Sequence, residues 1–450
     1  MSSKRVTSLG TEPTMKILIR LALPSIASLL INATYNIVDS LFVGRYVGTL
    51  GLAAVGLNFP LFIFLIAVGV LVGVGGSALI SRSLGQGDEK TAARGLGSSA
   101  VLLLAFGAFL LAIFVPFSAS WVRLLGARGD AFEYARLYFS IVALGSPFVI
   151  ANQALNNLVY AEGNGLVGFL TLAFSSLMNI LLDWLFIAVF GWGIAGAAWA
   201  TFAAQGAGTI ALIIYFLHPS SHLKLSLRSG RKYIKEILRI GSSAALRTFS
   251  VVFLGITVNL QAFTTEEDLG IAVSSVVYRV ISLIVLPAFG INQAFLPIAA
   301  YNYGAGQNHR VIQVSRQAVL LALGVCYSMV AGVVASAEIL AGLFNREPAF
   351  IAMASEGFRT AFLMTPLLIF NLVGSGIFQA VGNGRRSMLI AVSRILFFVL
   401  PLLIILPGFF GIRGIWYAFP AGELLSALFA LSLSLPVLRS LSDGSLKRKG

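Results

Sequence analysis

Long apolar segments recur along the whole chain of 450 residues. An α-helix needs about 20 consecutive apolar residues to cross the hydrocarbon core of a bilayer. Only 11% of the side chains are charged, against about 25% in soluble domains, so a soluble fold is excluded. The apolar runs are continuous and do not alternate with polar residues, which also excludes an outer-membrane β-barrel. We therefore predict an all-α polytopic membrane protein.

A helical-span template applied along the chain predicts twelve transmembrane helices, numbered here span 1 to span 12. The predicted spans cover residues 16–43, 52–80, 95–117, 133–159, 166–189, 192–217, 235–263, 269–299, 311–336, 355–381, 388–407 and 412–437. Residues 1–15 are left as an N-terminal tail and residues 438–450 as a basic C-terminal tail.

The charges indicate an orientation. The chain has 31 Lys and Arg against 17 Asp and Glu, and most of the basic residues fall in loops on one side of the predicted spans. The positive-inside rule makes this side the cytoplasm, so both termini are predicted to be cytoplasmic, in a cytoplasmic (inner) membrane. Nucleic-acid binding would need a basic face on a soluble domain. We therefore expect the lipid bilayer, and no nucleic acid, as a partner.

The two halves of the chain repeat each other at one offset of 219 residues. The matching landmarks are Arg20 with Arg239, Gly85 with Gly304, Gly87 with Gly306, Pro147 with Pro366, Asn152 with Asn371, and the Gly-Asn-Gly loops at 163–165 and 382–384. We predict two pseudo-symmetric six-helix lobes in parallel orientation: an N-lobe at 16–217, a linker at 218–234 and a C-lobe at 235–437. Parallel repeats of this kind place a substrate site between the halves and work by alternating access.

Three acidic residues, Asp39, Asp183 and Glu423, are predicted to lie within spans. A carboxyl group at membrane depth is costly, so it marks a functional site by default. Under the 219 offset, Asp39 falls on Val258 and Asp183 on Leu402. We infer that the N-lobe holds the residues that couple transport to an ion, and that the C-lobe mainly moves against it as the opposite wall of the substrate pathway.

Polar residues share helical faces with the two aspartates. Tyr35 and Asn36 precede Asp39 by four and three residues, and Asn179 precedes Asp183 by four. Such groups donate hydrogen bonds to a buried carboxylate, while apolar surroundings favour its neutral form, and this combination suits a proton carrier. Pro24, in the middle of span 1, weakens the helical hydrogen-bond ladder and offers a hinge.

Further polar residues are predicted to line a substrate cavity: Tyr35, Asn36, Tyr138, Asn152, Asn156 and Asn157. Other interpretations stay open. The asparagine cluster of span 4 could equally serve packing between helices. Pro24 could equally produce a passive kink, since prolines are common in transmembrane helices. Asp39 and Asp183 also suit solvated acids near helix ends.

The C-lobe holds the buried charges Arg247, Arg279 and Glu423. An unpaired charge at this depth is expensive. We expect Glu423 to form a structural ion pair with one of the two arginines.

Several motifs together resemble the multidrug and toxic compound extrusion (MATE) transporters. They are VDSLFVGRYVGTLGLAAVGL at 38–57, SRSLGQGDEK at 81–90, AEGNG at 161–165, MNILLDWLFI at 178–187, GWGIAGAAWAT at 191–201 and NYGAGQN at 302–308. The resemblance covers nearly the whole chain and is closest to the DinF-like branch. It implies an N-lobe cation site at positions matching Pro24, Asp39, Asn179, Asp183 and Thr201.

The resemblance further implies an antiporter that exports amphipathic, often cationic, drugs or metabolites. The sodium-coupled branch carries acids on spans 7 and 10. Here span 7 offers Asn259 and Gln261 instead, and span 10 has no acid between Phe358 and Val381, so protons are favoured as the coupling ion. Two carboxylates with amide and hydroxyl oxygens also suit Na⁺, so Na⁺ at Asp39, Asn179, Asp183 and Thr201 is the alternative. No other metal and no cofactor is expected, and we expect a monomer.

Two other functions are compatible with a polytopic helical membrane protein. A lipid-linked oligosaccharide flippase has the same architecture but would need basic residues in the cavity, for which Arg247 and Arg279 are the candidates. A passive channel is disfavoured because no charged ring or filter motif recurs. We expect no enzyme, since the sequence has neither HExxH nor GxSxG and its three histidines fall in loops.

Overall fold

The computed structural model describes residues 2–224 and 227–445. Across these ranges the chain is helical, with turns and short loops between helices and no strand. This confirms the predicted all-α membrane fold. The last basic residues of the predicted C-terminal tail, Lys447, Arg448 and Lys449, lie outside the described residues.

The observed helices coincide with the predicted spans. Spans 1 to 6 are Thr14–Tyr46, Thr49–Gly85, Glu89–Phe114, Asp130–Leu144 with Ser146–Ala161, Gly165–Asp183 with the π-helical turn Trp184–Val189, and Gly193–Leu217. Spans 7 and 8 lie in Arg231–Gly304, followed by span 9 at Asn308–Ala335 and span 10 at Pro348–Ala361 with Leu368–Ala380. Span 11 is Gly384–Ser393, Arg394–Val399 and Leu400–Ile405, and span 12 is Ile412–Ser442. Short helices at Ser118–Leu124, Ala337–Phe344 and Pro407–Phe410 lie between spans.

The number of crossings depends on two irregular elements. Ten helices are long and apolar enough to cross a membrane, and span 4 adds an eleventh as a pair of helices bent by 52°. The 74-residue helix Arg231–Gly304 is far longer than a bilayer is thick, and it is interrupted by non-helical backbone at Glu266 and Glu267. Both of its ends lie near Arg82, so it is a hairpin of two spans. Within the described ranges the chain thus crosses twelve times, as predicted.

Both termini lie at the same end of the molecule, called here the terminus end. Asn302 donates its side-chain amide to the Leu9 carbonyl (2.9 Å), and the neighbouring Asn308 donates to the Leu441 carbonyl (3.1 Å). The N-terminal segment, predicted as a tail, forms the helix Ser2–Thr11 with Leu9 fully buried. This helix therefore packs onto span 8 of the opposite lobe.

At the terminus end the lobes are closed against each other. A side chain at Gly85 would overlap the Tyr301 carbonyl, and one at Gly304 would overlap the Arg82 carbonyl, so only glycine allows these backbones to approach. Arg82 forms an ion pair with Glu236 and donates to the Ala380 carbonyl, both in the C-lobe. We call this contact region the seam.

The linker between the lobes is held by a buried carboxylate. Glu162 accepts hydrogen bonds from the Tyr215 hydroxyl (2.7 Å) and from the Ser221 hydroxyl (2.9 Å). It also accepts from the backbone N–H groups of His222 (3.2 Å) and Leu223 (2.8 Å). Charge-assisted bonds of this kind are about twice as strong as neutral ones. The first part of the linker is therefore fixed to the N-lobe.

Candidate functional site

A cavity of about 480 Å³ lies mainly in the N-lobe, in the half of the molecule beyond the seam. Its polar walls come from spans 1, 2, 4 and 6, and one side chain of span 8, Gln293, reaches it from the C-lobe. Aromatic and aliphatic side chains complete the lining. Its polar lining residues are Ser28, Asn32, Tyr35, Asn36, Asp39, Ser40, Asn58, Tyr138, Asn152, Gln153, Asn156, Thr201, Gln205 and Gln293.

The carboxyl groups of Asp39 and Asp183 lie next to each other, on spans 1 and 5, close enough to interact directly. Asp39 is 8% exposed and Asp183 is fully buried. Both oxygens of Asp183 and Oδ1 of Asp39 are buried without a hydrogen-bond partner in the described structure. Two ionised carboxylates in such contact repel strongly, so the pair is suited to hold one proton between them.

A π-helical turn, Trp184–Val189, begins directly after Asp183. Such turns shift the register of a helix and occur often at functional sites. Here the turn starts where span 5 brings its carboxyl group towards span 1.

Asn179 and Thr201, the other two predicted coupling residues, lie close to the two aspartates. Asn179, one turn before Asp183, is 2% exposed and its amide has no partner among the described residues. It lines a small adjoining cavity with Tyr35 and Thr201, and Thr201 also lies close to the Tyr138 hydroxyl. The structure thus brings the four predicted coupling residues together around Tyr35.

Five of the six predicted lining residues border the main cavity, and Asn157 does not. Asn157 donates to the Gln153 carbonyl (2.8 Å) and accepts from Gln293 of span 8 (3.5 Å), so its amide serves packing within span 4 and between the lobes. Asn156 borders the cavity while donating to the Gly168 carbonyl (2.8 Å). Asn152 donates to Gln205 (2.8 Å), a lining residue of span 6 that the sequence analysis missed. Its one sequence signal is a lone glutamine in an apolar span.

The Pro24 segment of span 1 is attached to the C-lobe. The Ser25 hydroxyl donates to Gln293 Oε1 (2.6 Å), and Gly290 of span 8 packs directly on the backbone of Ile26. Ser28 donates to the Pro24 carbonyl (2.8 Å), and the helix runs unbroken through Pro24 in this conformation. Gln293, also missed from sequence, therefore links the hinge segment to the floor of the cavity.

The expected ion pair of the C-lobe is wrong in its partner. Glu423 accepts hydrogen bonds from Arg394, with Nε at 2.9 Å from Oε1 and 3.0 Å from Oε2, and a further bond comes from Nη2. Sequence analysis counts Arg394 with the basic residues of the cytoplasmic side, although it lies within predicted span 11. The helix starts at Gly384, which places Arg394 ten residues inside it. Arg279 is exposed and Arg247 is buried without contact to Glu423.

Twelve spans in two pseudo-symmetric lobes, with a polar cavity and a buried acid pair, define a multi-span membrane transporter. The MatE family model matches residues 24–185 and 243–405, two segments whose starts are 219 residues apart, as in the internal repeat. The chain therefore belongs to the MatE family.

Curated relatives agree with this assignment. The multidrug export protein MepA of Staphylococcus aureus (strain MRSA252) is 28% identical over 440 residues, covering 96% of each chain. MepA of Staphylococcus saprophyticus is 28% identical over 422 residues, covering 91% of each chain.

Solved structures are similar over almost the whole fold. A crystal structure of MATE in complex with MaL6 has a TM-score of 0.92 at 26% identity and covers 97% of this chain and 99% of its own. An outward-facing multidrug resistance MATE family transporter of the MOP superfamily has the same TM-score and identity, covering 97% and 98%. A MATE in the bent conformation has a TM-score of 0.91 at 27% identity, covering 98% and 99%.

Proposed function

We propose that this protein exports amphipathic, mainly cationic, drugs or metabolites in exchange for protons, by alternating access of its two lobes. The observation that carries the proposal is the contact between Asp39 and Asp183 at the wall of the cavity. The relatives named multidrug export proteins support the substrate class.

The charge of the cavity favours cations. Asp39 is the one charged residue among the residues that line the described cavity. The rest of the lining offers amides, hydroxyls and aromatic rings, which suit an amphipathic molecule without demanding one shape. A cationic substrate gains most when the pair has lost its proton, and least when the pair holds it. Proton uptake from outside and substrate release are thereby coupled.

The closed seam supports an outward-facing assignment. If the positive-inside rule holds, the terminus end is cytoplasmic, and the lobes are sealed on that side. The return step separates the lobes at the seam and closes them beyond the cavity. Span 1 is suited to move in this step, because Pro24 leaves the carbonyl of Arg20 without its usual helical partner.

Coupled efflux from proteoliposomes tests the proposal. A fluorescent lipophilic cation is loaded, and its efflux is followed under an imposed pH gradient or an imposed Na⁺ gradient, for the wild type and for Asp39→Asn. We expect the pH gradient alone to drive wild-type efflux, and Asp39→Asn to lose it. Asp130→Asn is the matched control, because Asp130 is exposed at the start of span 4 and outside the cavity.

Two results would contradict parts of the proposal. Efflux driven by the Na⁺ gradient and not by the pH gradient would move the assignment to sodium coupling at the same residues. Coupled efflux that survives in Asp39→Asn would remove Asp39 from the coupling site.

The flippase alternative finds less support in the geometry. A lipid pyrophosphate needs basic residues in the cavity, but Arg247 and Arg279 both lie outside the set that lines it. Binding of an anionic lipid pyrophosphate that is lost on Arg279→Ala would favour that alternative.

A further inference from the structure

A buried cation in the C-lobe has no counterion within the described residues. Arg247 lies in the middle of span 7 and is 9% exposed, and its Nη1 atom has no hydrogen-bond partner. A guanidinium stays charged in proteins, so Arg247 cannot escape the cost of burial by losing its proton. An unpaired buried charge costs several kcal/mol by general estimates.

The one charged group that acts on Arg247 in the described structure is the like charge of Arg394. Glu423, a buried carboxylate of the C-lobe, is already engaged by two nitrogens of Arg394. Two guanidinium groups and one carboxylate leave the interior of the C-lobe with one excess positive charge. The interior of the N-lobe, in contrast, holds the two carboxyl groups of Asp39 and Asp183.

A hydrogen-bonded cluster of hydroxyl and amide groups includes a residue one helical turn before Arg247. Ser243, one turn earlier on the same helical face, accepts hydrogen bonds from Gln379 (3.0 Å) and from the Ser387 hydroxyl (2.8 Å). Ser387 also contacts the Ser375 hydroxyl (2.9 Å). Hydroxyl groups can rotate to donate to an incoming anion. The C-lobe interior therefore holds hydroxyl groups one helical turn from Arg247.

Span 11 carries a second sign of a functional position. A π-helical turn, Arg394–Val399, begins at the buried arginine, as the turn of span 5 begins beside Asp183. The two lobes thus place a buried charge at a π-helical turn, acidic in the first lobe and basic in the second.

We propose that the C-lobe binds a small monovalent anion at the buried, unpaired guanidinium of Arg247. The ligand chemistry is that of a halide or of a carboxylate group, since both are compact and accept hydrogen bonds from guanidinium. This site is separate from the N-lobe cavity and does not depend on the proposed export function.

Anion-dependent melting of the purified protein tests this site. A ligand that binds only the folded state raises the melting temperature with its concentration. The melting temperature is measured in detergent at constant ionic strength while sodium HEPES is replaced by sodium chloride, bromide or acetate. We expect a saturating rise for the wild type, and at least a tenfold higher half-saturating concentration for Arg247→Gln. Arg279→Gln is the matched control, because it removes an exposed arginine of span 8.

The three anions distinguish an inorganic ligand from an organic one. A rise with chloride and bromide indicates an inorganic ion, and a rise with acetate alone indicates the carboxylate of an organic ligand. No rise with any of the three anions, or an equal rise in Arg247→Gln, overturns the proposal.

If Arg247→Gln does not fold, crystals of the wild type grown in bromide decide the question. An anomalous peak beside the Arg247 guanidinium supports the site. The proposal is overturned if no anomalous peak lies beside Arg247 and acetate does not raise the melting temperature of the wild type.

Discussion

Breaking the ion pair of the seam should shift the protein towards the state open at the terminus end. The side chains of Arg82 and Glu236 are 11% and 18% exposed, so the pair is nearly buried. Removing one partner of a buried pair costs about 3 to 5 kcal/mol, and the remaining exposure lowers this to about 2 to 3 kcal/mol. Only the state with a closed seam bears this cost, because separated lobes expose the remaining charge to water.

The size of the shift follows from the free energy. A cost of about 2 to 3 kcal/mol changes the equilibrium between the two states by about 30- to 140-fold. If the opposite state starts at about 1% of the population, Glu236→Gln should raise it to about 20 to 60%.

Spin-label distances measure this shift directly. Labels at Gln86 and Arg385, both exposed at the terminus end on opposite lobes, report the opening in a Cys326→Ala background. We expect a second, longer distance in Glu236→Gln. The exchanged pair Arg82→Glu with Glu236→Arg should restore the single short distance. An unchanged distance distribution in Glu236→Gln would refute the reasoning, since the seam would then be held by backbone packing alone.

Two further changes have defined outcomes. Glu162→Gln places an amide N–H opposite the N–H and O–H donors of the linker, so the linker should detach more often. Trypsin should then cleave within 218–230 faster than it does in the control Glu266→Gln, which changes an exposed acid. Equal cleavage rates would show that other contacts hold the linker. Gly241→Val drives a side chain into a backbone carbonyl of span 2 and should lower stability by about 1 to 3 kcal/mol and abolish efflux. Gly255→Val is the control, because Gly255 lies on the same span next to open space, and it should melt and transport like the wild type. Similar melting temperatures of the two variants would contradict the close approach of Gly241 to the backbone of span 2.

Sequence reasoning was strongest where one physical rule acts alone. Hydropathy and length located the twelve spans, because the backbone N–H and C=O groups of each apolar run must form their hydrogen bonds within one helix. The 219 offset was confirmed by two family matches that start at residues 24 and 243.

The sequence does not show which side chains of distant helices contact each other. Asp39 and Asp183 were singled out separately, but nothing in their local patterns shows that spans 1 and 5 bring the two carboxyl groups together. Glu423 was given the wrong arginine because Arg394 was counted with the basic residues of the cytoplasmic side and not among the buried charges of the C-lobe. Gln293 was missed because a glutamine carries no signal until the facing Ser25 is known.

The two glycine contacts of the seam are one contact made twice. Gly85 meets the Tyr301 carbonyl and Gly304 meets the Arg82 carbonyl, and in both cases the positions differ by the repeat offset. A contact that each partner makes identically with the other is isologous, as in a twofold homodimer. The molecule is thus a covalently joined pseudo-dimer whose two halves meet at their own symmetry axis. Because neither half can leave this axis without releasing both contacts, the seam opens and closes as a unit.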